Sequence, residues 1–171
     1  MKKTAVSILL IFTLLALCSC SVLPKAKNGM KSVTNNAVDF RFECPADWET
    51  TRNDAMITVK APKDNSNISI TSFDLGKSNQ AVNEYFDSYK KAFTSAFGKM
   101  NVLSDEETKL DSVPARKITY TNTLVDDKYK SDMLVCIRNG VVYTITYTAT
   151  PDTYDTNHKA FNHVKNTFIF K

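Results

Sequence analysis

The sequence predicts an α+β domain: a mostly antiparallel β-sheet with helices packed on it. Three observations point there. Runs of alternating apolar and polar residues recur between residues 38 and 74 and again between 115 and 149. Two stretches, 82–97 and 154–168, instead carry apolar residues three and four apart, the helical period. Asn139-Gly140 lies between two strand-like runs, where both residues accept the positive φ of a type I′ hairpin turn. The order is strands, helix, strands, helix. Two well-separated helices are too few for alternating βαβ units, so the strands pair antiparallel.

Each element has its own signature. Val38, Phe40, Phe42 and Cys44 fall on one side of an extended chain and Asp39, Arg41 and Glu43 on the other, a half-buried strand. Pro45 ends it and Trp48 follows in a turn. "AMITVKAP" and "NISITSFD" read as two more strands about the turn-rich "KDNSN". The clearest helix carries Val82, Tyr85, Phe86, Tyr89, Phe93, Ala96 and Phe97 on one stripe. Ser78 or Asn79 can cap its start, and Gly98 stops it. Its other face carries Asn83, Asp87, Lys90, Lys91 and Thr94.

The second half is strand-rich. "ARKITYTNTLV" alternates, Asp126-Asp127 turns the chain, and "KYKSDMLVCIR" is apolar on both faces. A strand of that kind is central and covered on both sides. "VVYTITYTAT" returns from the Asn139-Gly140 turn. A second helix after Thr150-Pro151 carries Tyr154, His158, Phe161, Val164 and Phe168. "FIFK" closes the chain as a short strand or extended tail.

The first residues have a different purpose. Met1-Lys2-Lys3 precedes "AVSILLIFTLLAL", and this apolar run is too short for a helical span, which needs about 20 residues. A basic start, a short apolar core and small residues after it make a secretory signal. Leu17-Cys18-Ser19-Cys20 resembles the lipobox of bacterial lipoproteins. Cys20 fits that frame, with Leu17 three before it and Ser19 just before it. Cys18 does not, because Leu17 would stand where a small residue is needed. The expected product carries a diacylglycerol thioether on Cys20 and begins there. Several acyl chains hold stably where one holds weakly, since each buried methylene contributes about 0.8 kcal/mol. The expected organisation is a signal over 1–19, a lipidated cysteine and tether over 20–37, and one domain over 38–171. The tether, "SVLPKAKNGMKSVTNNA", is polar, aperiodic and broken by Pro24 and Gly29. Its mean reach is about 20–25 Å.

Composition narrows the function. The net charge is +4, and two of the lysines lie in the signal. So mild a balance argues against nucleic acid as a partner. Cys44 and Cys136 remain in the domain beyond the anchor. An exported chain permits a disulfide, yet each cysteine sits among apolar residues, where a free thiol behaves as a small hydrophobe. They are expected to be separate core residues.

The residues that carry chemistry form no catalytic signature. His158 and His163 lie five apart, which on a helix separates them by about 140°. A helical metal pair wants a spacing of four, so no metal or other cofactor is expected. His158 is expected at the helix rim and His163 in solvent. Asp126-Asp127 with Asp132, and Asp105-Glu106-Glu107, are expected to be solvated turns, since neither fits a calcium loop. There is no G-x-S-x-G, no phosphate-binding glycine loop and no CxxC. No catalytic residue is assigned. The threonines from Thr144 to Thr148 first express β-propensity. Their exposed part, and the turn around Trp48, are the candidate docking surfaces, although Trp48 itself is expected rather to plug the end of the core.

The frame "FECPADWE", a helix with "EYFDSY", then "RNGVVYTITYTATPDTYD" and a terminal "VKNTFIF" resembles the PsbP-like fold group. That group includes the photosystem subunit and DcrB-type bacterial lipoproteins. The resemblance spans residues 38–171. It implies an α-β-α sandwich around an antiparallel sheet, and adaptor or assembly roles rather than catalysis. The expected protein is a lipoprotein on the extracytoplasmic face of the cell membrane, held there by Cys20. It would act on a protein partner in the envelope as a non-enzymatic binding module. The alternative is an envelope hydrolase whose site is dispersed along the sequence.

Overall fold

The computed structural model describes residues 28–34, 39–53, 56–76, 80–124 and 126–171. Among the described residues, ten strands and two helices follow one another: β1 (Met30–Thr34), β2 (Phe40–Pro45), β3 (Glu49–Arg52), β4 (Met56–Lys60), β5 (Asn67–Asp74), α1 (Val82–Phe97), β6 (Asn101–Leu110), β7 (Val113–Leu124), β8 (Asp127–Arg138), β9 (Val141–Ala149), α2 (Pro151–Thr167) and β10 (Ile169–Phe170). They build a seven-stranded sheet, β3-β4-β5-β9-β8-β7-β6, and a three-stranded one, β1-β2-β10, with every pairing antiparallel. The expected fold class stands.

Two faces of the large sheet carry two cores. On one face Ile57, Ile68, Leu134, Ile145 and Tyr147 pack with α2 and with Val33, Phe40 and Phe42 of the small sheet. On the other, Ile118, Tyr120, Met133 and Val135 pack with Phe86, and Tyr85, Tyr89 and Phe93 of α1 lean on them. β8 is buried on both sides from Ser131 to Cys136, as a central strand must be. Asn139 (φ 52°) and Gly140 (φ 76°) make the tight β8–β9 turn. Gly98 stops α1 at φ 86°, a conformation that needs no Cβ. The expected caps Ser78 and Asn79 lie outside the described residues; Ala81 precedes the first helical turn and makes no side-chain cap. Pro151 opens α2, where a missing N–H costs nothing.

Three expectations change. Residues 30–34, expected in the tether, form β1, which pairs along β2 from Met30↔Pro45 to Thr34↔Arg41. Val33 is its one buried side chain, and Lys31 donates to the Trp48 carbonyl. An edge strand with a single buried residue has no alternation to read, so the domain begins before residue 38. Asp105, Glu106 and Glu107 lie on β6, not in a turn. β6 is the outer strand of the sheet, where charges deter edge-to-edge pairing. Asp105 meets Arg116 at 2.6 Å and Glu106 meets Lys117 at 3.2 Å. Trp48 is 5% exposed and plugs the core, as expected of it, and takes no part in a docking surface. Asp132, expected in a solvated cluster, is fully buried.

Asp39, just before β2, and the C-terminal Lys171 are tied to the β8–β9 hairpin. Asp39 accepts from Arg138 (2.8 Å) and from the Tyr143 hydroxyl (2.6 Å), while its carbonyl accepts from the Lys171 amide.

Candidate functional site

The only buried charged side chain among the described residues is Asp132. Strand register places it. Thr119 of β7, Asp132 of β8 and Tyr147 of β9 stand side by side in one row across three strands, on the face that α2 covers. Tyr154 and His158, one helical turn apart, bring α2 down onto that row. Thr119 Oγ1 donates to Asp132 Oδ1 at 2.5 Å, and His158 Nε2 donates to Oδ2 at 2.6 Å. Both carboxylate oxygens are therefore engaged, as a buried carboxylate requires. The rings of Tyr154 and His158 stack at 5.1 Å, and the Tyr147 hydroxyl donates to the Tyr154 carbonyl at 2.7 Å. Burial first, and then the charge of Asp132, pushes the Tyr154 phenol up. Lys130 covers the outer face of that ring, 3.8 Å from its centre.

A second polar knot docks α2 on the β4–β5 loop. Asp64 accepts from the Ser66 amide at 2.7 Å and from Asn157 at 2.9 Å. Burial pushes the Asp64 carboxyl up, and these hydrogen bonds outweigh it, leaving the group below the usual carboxylate range.

The Asp132 cluster joins three elements: β7, β8 and α2. A nucleophile–base–acid relay needs the hydroxyl on the far nitrogen of the imidazole. Here Thr119 bonds the carboxylate, on the wrong side. His158 Nδ1 faces Asn162 Nδ2 at 3.4 Å. The cluster fixes α2 to β7 and β8, and the Thr119 hydroxyl bonds the carboxylate rather than the imidazole.

The other predicted residues lie apart. His163 pairs with Glu43 at 3.2 Å, so the two histidines point to different partners. Cys44 in β2 and Cys136 in β8 are free and buried. Burial pushes the Cys44 thiol up to about 11 and the Cys136 thiol up to about 12, so neither offers a thiolate. Among the described residues no three His, Cys, Asp or Glu side chains gather as a metal site. Cys20 lies outside the described residues, and none of the described helices is long and apolar enough to cross a membrane. Sequence reading overlooked the role of Asp132, yet the signal was present. Asp132 shares strand parity with Leu134 and Cys136, and His158 lies on the apolar stripe of α2.

A seven-stranded antiparallel sheet, with α1 on one face and α2 and a small sheet on the other, defines a class of α+β sandwich. The family model described as "PsbP-like protein" matches residues 25–170, and the chain belongs to that family. The match takes in β1, in keeping with a domain that starts before residue 38. Solved structures share the fold at low identity. The cyanobacterial PsbP (CyanoP) of Synechocystis sp. PCC 6803 aligns with a TM-score of 0.68 at 13% identity, over 91% of this chain and 99% of that one. PA94 of Pseudomonas aeruginosa, a protein of unknown function, gives 0.63 at 13%, over 83% and 97%. LpqN of Mycobacterium tuberculosis, involved in cell envelope biogenesis, gives 0.57 at 12%, over 84% and 92%. No curated protein matches the chain in sequence.

Proposed function

We propose that this protein is a lipoprotein of the cell envelope, anchored through Cys20 on the extracytoplasmic face, and that it binds or assembles with another envelope component without turnover. One observation carries the non-catalytic reading. The polar group most suited to chemistry, Asp132, has both oxygens engaged in holding α2 to the sheet. The hydroxyl beside it bonds the carboxylate rather than the histidine. The anchor reading rests on the Leu17-Cys18-Ser19-Cys20 frame. The envelope reading is supported by the shared fold with LpqN. A tether confines the domain to a shell near the membrane and raises its effective concentration toward membrane-bound partners.

A hydrolase is the competing reading, and the Asp132–His158 pair is the observation that favours it. It requires a substrate hydroxyl or water to reach His158 Nδ1. Crosslinking in intact membranes, followed by identification of what is captured, tests the proposal. A specific envelope component, captured by the wild-type chain and lost with Cys20→Ser, supports it. Capture that is unchanged by Cys20→Ser contradicts the anchor.

A further inference from the structure

The chain enters the domain at one fixed place. Asn28 (φ 55°) and Gly29 (φ 73°) turn it tightly into β1, and the Gly29 carbonyl accepts from the Ala46 amide at 2.9 Å. Lys31 then donates to the Trp48 carbonyl. Cys20 stands eight positions before Asn28. At roughly 3.3–3.6 Å per residue, even a fully extended chain carries it no further than about 26–29 Å from that turn. The domain is built in three layers: the small sheet with α2, the large sheet, then α1. Stacked sheets lie about 10 Å apart. A bilayer against α1 would draw the segment past the whole sandwich. The outer face of the small sheet instead begins at the turn itself, with Met30.

What that face presents suits a lipid surface. Inward, Val33, Phe40, Phe42 and Cys44 join the core. Outward, strand alternation leaves Ser32, Thr34, Arg41, Glu43 and Ile169. Register sets Thr34 beside Arg41 and Arg41 beside Ile169, one row across β1, β2 and β10. Ile169 is 40% exposed, an apolar side chain left in the open. Arg41 is exposed, and among the described residues it has no ion-pair or hydrogen-bond partner. Glu43, two positions on along the same face, is engaged by His163 at 3.2 Å. A guanidinium forks onto two phosphate oxygens at once. An aliphatic chain beside it fits the boundary between headgroups and acyl carbons. An anchor this close brings lipid phosphate to the face at high effective concentration.

We propose that the outer face of the small sheet rests on the lipid surface, with Arg41 on a lipid phosphate and Ile169 at the edge of the acyl region, so that α1 points away from the membrane. The inference rests on the Cys20 anchor and adds the orientation that the anchor imposes. The test uses the full lipidated chain in nanodiscs of phosphatidylethanolamine and phosphatidylglycerol, with a nitroxide on a fraction of the headgroups. Loss of backbone amide signal is expected at Ser32, Thr34, Arg41 and Ile169, and none at Lys91 and Thr94 on the outer face of α1. Arg41→Glu, shown to be folded and still on the disc, should erase that contrast. Signal loss centred on α1, or equal on both faces, overturns the inference and leaves the anchor standing. A contrast that survives Arg41→Glu also overturns it. A chain that leaves the discs and whose intact mass shows no diacylglycerol on Cys20 overturns the anchor reading and the inference with it.

Discussion

Asp132 and His158 meet at 2.6 Å across the interface between β8 and α2, one fully buried and the other 29% exposed at its side chain. This contact ties the second helix to the centre of the sheet. Its partner on the other oxygen is Thr119, so three elements converge on one carboxylate.

Removing one member of a buried, hydrogen-bonded pair leaves the other without compensation. His158→Ala should lower the stability of the domain by about 2–3 kcal/mol, read as a fall in the urea midpoint with an unchanged slope. Asp132→Asn with His158→Ala should cost less than the sum of the single changes, the mark of direct coupling. Strict additivity would mean that the contact contributes nothing.

At the β8–β9 turn the limit is conformation, not space. A Cβ on Gly140 would meet only the Gly76 carbonyl, at 3.9 Å, yet φ there is +76°. Gly140→Val should therefore cost more than about 1 kcal/mol. Gly140→Asn should cost less, because asparagine tolerates the left-handed region. Equal losses for the two would show that strain at φ is not the cause.

Both thiols are shifted upward by burial, which fixes the sign of an alkaline effect. The unfolded chain ionises its cysteines near the ordinary value of 9.0, whereas the folded chain holds Cys44 neutral to about 11 and Cys136 to about 12. Their contribution to stability is whole below pH 9 and falls as pH rises from there through the folded values. Alkylation at pH 8 without reductant should leave both thiols unmodified in the native protein and modify both in denaturant. Thiols that react in denaturant only after reduction would contradict the free-cysteine assignment. Cys44→Ala with Cys136→Ala should flatten the decline above pH 9.

The Arg116–Asp105 pair predicts an acid effect of the opposite sense. The hydrogen bond from Arg116 holds the Asp105 carboxyl below the usual range, against a smaller upward push from burial. Its contribution is present above the ordinary carboxylate range and is lost as pH falls through the lowered value. The pair is partly exposed, so Asp105→Asn should cost less than about 1 kcal/mol at pH 7. Arg116→Met should cost more, because Arg116 also lies 4.3 Å over the Phe86 ring and so holds α1. An Asp105→Asn domain whose stability keeps the wild-type acid dependence would contradict the assignment.

Cys20→Ser should abolish fatty-acid labelling and membrane retention, and Cys18→Ser should leave both unchanged. Labelling that survives in Cys20→Ser defeats the lipobox frame.

The elements that were legible in sequence bury one face or one stripe. β2 shows Phe40, Phe42 and Cys44 inward and Arg41 and Glu43 outward, and α1 and α2 repeat at the helical period. The β8–β9 hairpin declared itself through Asn139 and Gly140. What escaped lies at edges. β1 buries Val33 alone, β3 is four residues of mostly exposed chain, and β6 exposes nearly its whole length. An edge strand takes its stability from a partner's backbone, and the side-chain pattern records that weakly. Asp132 escaped for another reason. A carboxylate in a polar-looking stretch reads as solvated unless its partner is known, and His158 lies 26 residues away.

The central claim is that this domain acts by binding and not by turnover, and rescue of a deletion strain tests it most directly. Two variants, each first shown to be folded by urea unfolding, are compared with the wild-type chain. One carries Thr144→Lys and Thr146→Lys on β9; the other carries His158→Gln and His163→Gln. Binding without turnover predicts that the histidine variant rescues and the threonine variant does not. Rescue by the threonine variant, with loss in the folded histidine variant, would contradict it and place a catalytic or metal site at His158.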